Sequence, residues 1–491
     1  MEGDVYMSQQ QVTIRSKSDV INFLNNAGSS KNALIIIFTA LGGVFIDAYD
    51  FTSLGIGAVQ LKAQFGLSAF QLGSLTAAMG FGALIGAIYG GYLVDKLGRK
   101  RMLYADLWFF VIAAIVGAFS PNIAILAVCR FIMGIGVGLD FPVALSYIAE
   151  FSSLKGKGKW VNLWQGMWFV AASTSFIIIL PFYFLGAGPN LWRWAVGFGA
   201  VAAIVVLGLR KFFTEESPLW AADHLGLTET GRILEATYDV KVTLDCQPED
   251  LVTPKKETKP KISYSILFSS QYRLRTIMTS IIAATQSMEY FAVGFYLPVI
   301  AALLFGKEFL WVIVGSLVFN CFGIVGGTWQ AYVVGKYGSR KLAITGYIIA
   351  FVCLLTLGLF KSQLSIYIQA LLIGMFIFGH SFGPGAQGMS MATLSYPASI
   401  RGLGSGWGQT MVRVGSIIGF YFFPIVLAAV GLQKTLLVLS VVPAIGIFTA
   451  LVIKWEPIGK DVDTEGMNYD AEVQKVANHN LIQNNIETIQ K

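Results

Sequence analysis

Residues 91–100 read GYLVDKLGRK, and residues 331–340 read AYVVGKYGSR. A tyrosine, a valine, a lysine and a glycine recur at the same spacing in both stretches, and Gly338 stands 240 residues after Gly98. An internal repeat with this offset indicates that the chain consists of two similar halves. Both stretches lie between long apolar segments, so we predict that they are corresponding loops of the two halves.

The composition points to a lipid environment. Of 491 residues, 55% are hydrophobic and 13% charged, with a mean hydropathy of +0.65; a soluble protein carries about 25% charged residues. Twelve apolar segments are each long enough to cross a hydrocarbon core of ~30 Å. The sequence therefore predicts an all-α membrane protein, with 12 transmembrane helices in two six-helix pseudo-symmetric halves around a central cavity. The predicted segments are approximately 33–59, 70–94, 102–119, 122–149, 160–184, 193–212, 274–304, 310–334, 341–360, 364–395, 402–430 and 433–454.

Positive charge is concentrated in alternate loops. Lysines and arginines cluster at 96–101, 155–159 and 336–341, whereas the other loops carry isolated lysines or none. Because such loops stay in the cytoplasm, both termini are predicted to be cytoplasmic, in a multi-pass protein of the cell membrane. The predicted regions are an N-terminal tail at 1–32, six-helix bundles at 33–212 and 274–454, a central loop at 213–273 and a disordered tail at 455–491.

Several classes of function are disfavoured. The net charge of +7 and the pI near 9.0 reflect the basic loops and contacts with anionic lipid rather than binding of nucleic acid. The four cysteines form no CxxC pair, and no metal-ligand spacing such as HExxH occurs. We therefore expect no enzymatic activity, no metal and no cofactor. The expected partners are a small-molecule substrate, a proton and the lipid bilayer, for a chain that acts as a monomer.

The first loop resembles the signature of the major facilitator superfamily, G-x-x-x-D-[R/K]-x-G-[R/K]-[R/K]. The matching residues are Gly91, Asp95, Lys96, Gly98, Arg99 and Lys100. The resemblance implies that this loop is a gating latch, in which Asp95 pairs with a base or caps a helix and Gly98 permits a tight turn. The second copy has Gly335 in place of the acid, so its latch is expected to be weaker.

The resemblance to individual branches of the superfamily is divided. Residues 47–50 (DAYD) and 136–142 (GVGLDFP) are similar to stretches of phosphate:proton symporters. Residues 396–401 (YPASIR) and 413–417 (RVGSI) instead resemble aromatic-acid:proton symporters, and 216–220 (ESPLW) resembles the E-S-P-R-W of sugar porters. The first two branches imply an anionic substrate, and the third implies a sugar.

Two acids, Asp47 and Asp50, lie inside the first apolar segment. Residues three apart share a helix face, and two carboxylates in a medium of low dielectric constant cannot both be ionised cheaply. One of them is therefore predicted to bind the transported proton. The alternative is an ion pair with Arg130 that only joins two helices. The 240-residue offset places Glu289 near the corresponding part of the second half, so each half carries an acid there.

The fourth segment contains an arginine and an acid. Arg130 lies in a stretch that resembles a second motif of the superfamily, which implies a role in proton coupling. Asp140 follows among glycines and before Pro142, as in the wall of a cavity; a helix–helix contact is the alternative. The predicted proton-coupling residues are Asp47, Asp50, Arg130, Asp140 and Glu289.

Polar residues of the other segments are candidates for the substrate site. Arg413 is the only base well inside the eleventh segment, and a fixed guanidinium binds a carboxylate or phosphate; an ion pair with Glu289 is the alternative. His380 in the tenth segment is either a proton relay or a packing residue. The predicted substrate-binding residues are Arg413, Glu289, Gln286, Tyr290, Gln165, His380 and Trp407.

Taken together, these features favour a secondary active transporter. We predict proton-coupled uptake of a small polar anion, such as an aromatic or other carboxylic acid, by alternating access. A sugar or phosphate proton symporter is the first alternative. A non-transporting nutrient sensor ranks below it, because the central loop and the tail are short for signalling domains.

Overall fold

The computed structural model describes residues 11–246, apart from 29 and 57, and residues 263–467, apart from 295 and 307. Helices dominate it, with one two-stranded sheet. The strands are β1 (Gln11–Ile14) and β2 (Lys241–Leu244). The helices before β2 are α1 (Lys17–Asn26), α2 (Lys31–Ile56), α3 (Ala58–Phe65), α4 (Ala69–Leu97), α5 (Arg99–Ala118), α6 (Ile123–Glu150), α7 (Leu154–Asn162), α8 (Trp164–Phe184), α9 (Leu191–Phe213), α10 (Pro218–His224) and α11 (Leu227–Tyr238). The helices after it are α12 (Arg273–Val293), α13 (Leu297–Phe305), α14 (Phe309–Tyr337), α15 (Ser339–Phe360), α16 (Ile366–Phe382), α17 (Pro384–Leu394), α18 (Arg401–Leu439) and α19 (Val441–Val452).

Eleven stretches of the described residues are long and apolar enough to cross a membrane. The remaining predicted segment is the first arm of α18, which ends at Gly431, where a φ of +77° separates two helices. This arm is polar for a membrane helix because it carries Gln409 and Arg413, both buried. The predicted arrangement of twelve helices in two halves is confirmed.

Among the described residues, four crossings consist of two helices in series, namely α7–α8, α12–α13, α16–α17 and the second arm of α18 with α19. Gly383 separates α16 from α17, and Leu163 separates α7 from α8. A break inside a membrane helix is tolerated where the freed backbone faces protein or a water-filled cavity. The breaks at Leu163 and Gly383 lie beside residues that line the central cavity described below.

Glycines allow the two halves to touch. Helix α4 packs on α18, and α8 packs on α14. A Cβ on Gly91 would lie 2.6 Å from the carbonyl oxygen of Gly402, and one on Gly327 would lie 2.8 Å from the nitrogen of Gly166. Both distances are far below van der Waals contact, so the backbones can approach this closely only without side chains.

A small subdomain covers the face of the bundle that carries the loops 96–101, 155–159 and 336–341, called the basic face below. Strand β1 pairs in parallel with β2, with Gln11 opposite Lys241. The buried core of the subdomain contains Ile14, Val20, Ile21, Leu24, Leu219, Leu227 and Leu234. Residues 11–26 of the predicted N-terminal tail therefore form a strand and a helix, and residues 219–244 cover their apolar positions.

The start of the C-terminal tail also packs on the basic face. The backbone nitrogen of Ala398 donates to Asp463 at 2.7 Å, and the Asn25 amide donates to Asp461 at 2.9 Å. The prediction of disorder from residue 455 onward is therefore wrong for residues 455–467, since their polar side chains are held by partners on the bundle. Residues 468–491 lie outside the described part of the chain.

Candidate transport site

A narrow cavity lies between the two halves. Its volume is about 30 Å³. Five of the seven predicted substrate-binding residues line it. The lining residues are Phe141, Trp164, Gln165 and Trp168 from the first half and Gln286, Tyr290, Phe291, His380, Met389, Gln409, Val412 and Arg413 from the second.

Two polar side chains of the cavity wall lack partners among the described residues. Arg413 is 1% exposed, and its Nε and Nη1 atoms have no hydrogen-bond partner. Its guanidinium carbon lies 5.1 Å from the centre of the Phe51 ring. Both amide atoms of Gln409 are unpaired as well. Unpaired buried donors and acceptors are costly, so the wall is suited to hydrogen-bond a polar ligand.

Four aromatic side chains form a layer between this cavity and a second one. The aromatic layer consists of Phe51, Trp168, Tyr290 and Phe291, whose neighbouring ring centres are 5.2–6.5 Å apart. The indole nitrogen of Trp168 donates to the Tyr290 hydroxyl at 3.0 Å. The second cavity, also about 30 Å³, includes Thr52, Gly55 and Asn320 in its wall, on the side away from the basic face.

Glu289 and His380 form a buried pair behind the cavity wall. Glu289 Oε1 lies 3.1 Å from His380 Nδ1, and the His380 ring stacks on Tyr290 with centres 4.9 Å apart. Glu289 does not itself line the cavity, and Oε2 has no partner within the described chain. The alternative ion pair between Arg413 and Glu289 is not formed; the partner of Glu289 is His380.

The two acids of α2 face different cations. Both carboxylates are fully buried and lack hydrogen-bond partners among the described side chains and backbone. Arg130 Nη1 donates to the backbone oxygen of Asp50 at 2.8 Å and lies in electrostatic range of the Asp50 carboxylate. Asp47 instead lies in electrostatic range of Arg413. One arginine therefore does not serve both acids.

From the sequence, Asp140 was grouped with Arg130 as a proton-coupling residue, but in the structure Asp140 lies beside Arg210. Its Oδ1 accepts from Arg210 Nη2 at 2.9 Å, and Arg210 Nη1 donates to Asp106 Oδ1 at 2.8 Å. Sequence reasoning missed both Arg210 and Asp106. The signal available was an acid in the apolar run of α5 and an arginine near the end of α9, but no spacing along the chain connects the two.

An ionic network joins the halves at the basic face. Arg99 donates to both oxygens of Glu150, at 3.0 and 2.9 Å, and to Asp95 at 3.1 Å. Arg401, from the second half, donates to Glu150 at 3.1 Å and to Asp463 at 2.6 Å. All of these side chains are buried. The basic face is therefore closed by paired charges from both halves.

Asp95 adds a helix cap across the interface. Its oxygens accept from the backbone nitrogens of Gly402 and Leu403, at 3.1 and 2.9 Å, at the start of α18. A carboxylate at a helix N-terminus is stabilised by the helix dipole and by the free N–H groups. Both roles suggested for Asp95, pairing with a base and capping a helix, are present in this one side chain.

The two loop stretches are each held by a glutamate at the end of their half. Glu216 accepts from the backbone nitrogens of Arg99 and Lys100, at 2.9 and 3.2 Å. Glu456 accepts from Ser339 and Arg340, at 3.0 and 2.9 Å. Gly98 and Gly338 have φ values of +94° and +83°, and a Cβ on either would lie 2.5 Å from the glutamate. The repeat therefore extends to a cap on each loop.

Two predicted residues lie away from the sites assigned to them. Trp407 does not line the cavity; its indole donates to Ser280 Oγ at 2.7 Å, beside Phe268. It is two residues from Gln409, which is about 200° around the helix, so the two side chains face different neighbours. Lys96 makes no ion pair with the network and lies over the Tyr92 ring at 5.5 Å.

The sequence profile of the sugar (and other) transporter family matches residues 22–464, which is most of the chain. The chain belongs to this family of the major facilitator superfamily. It is 27% identical to the inner membrane metabolite transport protein YgcS of Escherichia coli, covering 84% of this chain and 88% of the relative. It is also 26% identical to the glucose transporter GlcP of Staphylococcus epidermidis, covering 89% and 96%. This chain is therefore a membrane transporter of the secondary type and not an enzyme.

Solved structures show the same fold. The superfamily's proton:xylose symporter XylE bound to 6-bromo-6-deoxy-D-glucose superposes with a TM-score of 0.75 at 18% identity, covering 89% of this chain and 98% of that chain. The inward-open XylE of Escherichia coli gives 0.65, also at 18%, covering 88% and 98%. These comparisons favour the sugar-porter alternative over the phosphate and aromatic-acid branches. The short stretches that suggested those branches do not decide the family.

The network predicts a specific effect of Asp463. Burial raises the pKa of this carboxyl, but the charges of Arg401 and Lys157 outweigh burial and hold the pKa well below its usual range. A lowered pKa stabilises the closed face above pH ~4, and the effect is lost only as the pH falls toward the lowered value. In Asp463→Asn we expect hydrogen–deuterium exchange of residues 398–405 at neutral pH to rise about tenfold or more, because breaking a buried pair costs ~3–5 kcal/mol.

Glu465→Gln is the matched control, since Glu465 pairs with Arg275 inside the second half and does not touch the network. Exchange in this variant should stay near the wild-type rate. Equal exchange in Asp463→Asn and wild type would show that Asp463 does not hold the basic face closed.

Proposed function

We propose that the chain is a proton-coupled symporter that takes up a small neutral polyhydroxylated metabolite, a sugar or polyol, by alternating access. The observation that carries the proposal is the closed cavity between the halves, with unpaired polar groups in its wall and buried acids behind it. The family match and the relatives named for glucose and myo-inositol support the substrate class.

The lining suits a sugar for two physical reasons. Gln165, Gln286 and Gln409 each offer an amide donor and an acceptor, which match hydroxyl groups. Trp164 and Trp168 offer flat apolar faces for the C–H surface of a sugar ring. The cavity is narrower than a sugar in this conformation, so side chains of the aromatic layer must move when a substrate enters.

A small carboxylate is the second candidate, and Arg413 is the observation that favours it. A guanidinium with two unpaired nitrogens could bind a carboxylate in a two-bond fork. One relative, 24% identical over 81% of this chain, is the niacin transporter NiaP of Acinetobacter baylyi, and niacin is a pyridine carboxylic acid. The anionic substrate that the sequence favoured is therefore the second candidate.

Proton coupling is assigned to Asp50 with Arg130. An ionised Asp50 is balanced by the nearby guanidinium, whereas a protonated Asp50 leaves Arg130 free to interact with other groups. Two of the Arg130 nitrogens have no partner in the described structure, so the side chain has capacity for such a change. Binding of a proton thus alters the charge balance between α2 and α6. Glu289 with His380 is the second proton candidate.

We assign one gate of the transporter to each side of the cavity. Charged residues from both halves close the basic face, which the loop charges predict to be cytoplasmic, and the aromatic layer covers the other side. Inward opening requires the network to separate, and outward opening requires the aromatic rings to part. We assign the protein to the cell membrane, with both termini in the cytoplasm, as a monomer.

Asp50→Asn tests the proton assignment. Asparagine imitates the protonated acid, so reconstituted protein should lose accumulation driven by a pH gradient while exchange of labelled sugar across the membrane continues. The measurement is radiolabelled glucose or myo-inositol in proteoliposomes, with and without an imposed pH gradient. Thr39→Val, a neutral change on the same helix at a position that lines neither cavity, should keep both activities.

Two outcomes would reject this assignment. If Asp50→Asn still accumulates sugar against a gradient, Asp50 is not the coupling site. If Asp47→Asn alone uncouples transport, the transported proton belongs to Asp47.

Arg413→Gln separates the two substrate classes. For a neutral sugar, the loss of hydrogen bonds from a charged donor, ~1.5–3 kcal/mol, should raise KM about ten- to hundredfold. Uptake of nicotinate, a carboxylate, should be negligible in wild type. Arg413→Lys is the control, because it keeps the charge near Asp47 but loses the planar fork. The sugar assignment fails if wild type accumulates only nicotinate and Arg413→Gln abolishes that uptake.

A further inference from the structure

Three charged side chains form a buried cluster outside the cavity, and the proposed transport site does not use them together. Arg210 on α9 lies between Asp106 on α5 and Asp140 on α6, with N–O distances of 2.8 and 2.9 Å. All three side chains are 0% exposed. Arg210 Nη1 also donates to the backbone oxygen of Leu103. This group of three is called the acid triad below.

The charges of the acid triad do not balance when both acids are ionised. One guanidinium then faces two carboxylates, which leaves a negative charge in the protein interior. The Oδ2 atoms of Asp106 and Asp140 have no hydrogen-bond partner among the described residues, although both carboxyl groups contact the same guanidinium. An excess buried charge costs several kcal/mol, and a proton is the smallest species that removes it.

The neighbouring titratable and charged groups do not supply the missing charge. Asp47 on α2 faces the triad and is a further acid, also buried and without a hydrogen-bond partner in the described chain. Arg413 on α18 lies in electrostatic range of Asp47. The Tyr104 hydroxyl of α5 donates to the backbone oxygen of Arg210, at 2.8 Å, and not to either acid. Among these groups, the acids outnumber the cations.

We propose that the acid triad is a second proton-binding site, separate from Asp50 and Arg130, in which Asp106 and Asp140 share one proton. The proton lies in a hydrogen bond between the two carboxyl groups, and Arg210 balances the remaining negative charge. Two buried carboxyls that share one guanidinium cannot both ionise cheaply, as in paired-carboxylate active sites. With this proton, the triad is neutral as a whole.

Helix α2 brings the triad into contact with the transport machinery. Gly43 packs directly on it, and a Cβ there would overlap Asp140 Oδ1 and Arg210 Nη2. Asp47 lies one turn further along the same helix. A shift of α2 between the transporter's conformations therefore changes the distance from Asp47 to the triad. This use of the site in transport rests on the proposed proton-coupled function, whereas its occupancy by a proton does not.

Infrared spectroscopy of the purified full-length protein tests the occupancy without a substrate. The measurement is the carbonyl absorption of protonated carboxyl groups at neutral pH, compared between wild type and variants. Size-exclusion chromatography first shows that each variant is folded like the wild type. Asp106→Asn and Asp140→Asn should each lose the absorption of one protonated carboxyl group. The double variant should lose no more than either single one, because only one proton is shared.

Asp50→Asn is the comparison, and it should leave the band of the triad in place. The proposal is overturned if neither single variant loses carboxyl intensity, or if the double variant loses twice as much. If the triad band behaves as expected but uptake ignores the pH gradient, the site exists and the proposed coupling fails. If uptake follows the gradient and the triad band is absent, the coupling stands and this site does not.

Discussion

A charge buried between membrane helices costs several kcal/mol unless another charge or a hydrogen bond compensates it. This chain meets that constraint in two different ways along the axis of the bundle. At the basic face, Arg99, Glu150, Arg401 and Asp463 are linked in one continuous network from both halves. Further into the bundle, the carboxylates of Asp47 and Asp50 have no hydrogen-bond partners in the described structure. The network at the basic face stabilises one conformation, whereas the interior carboxylates are able to respond to a proton.

This difference explains how one fold can both close and open. The whole network forms only while the halves are in contact at the basic face, because the Arg401–Glu150 and Lys157–Asp463 pairs and the Asp95 cap on α18 join residues of opposite halves. The interior charges need a partner that can arrive and leave, and a proton satisfies that requirement without a large change in volume. In the proposed function, substrate binding and proton binding are connected through α2, which carries both acids and places Phe51 under the guanidinium of Arg413.

Much of this was predictable from the sequence, because periodic and repeated features are local. The 240-residue offset identified the halves and the paired loops, and the apolar runs gave the helices. Contacts across helices were not predictable: Asp106, Asp140 and Arg210 lie on three helices, and only the packing brings them together. Trp407 was misplaced because a shared stretch of sequence says nothing of which side of the helix faces the cavity. The branch was misjudged for a similar reason, since short stretches recur in branches with different substrates.

The most direct test of the account is whether sugar entry carries protons with it. Wild-type protein would be reconstituted into vesicles that contain a pH-sensitive dye, with the membrane potential clamped and no initial pH gradient. Addition of glucose or myo-inositol outside should acidify the lumen as labelled sugar enters. Sugar entry with an unchanged lumenal pH would contradict the account, because the buried acids would then have no part in transport.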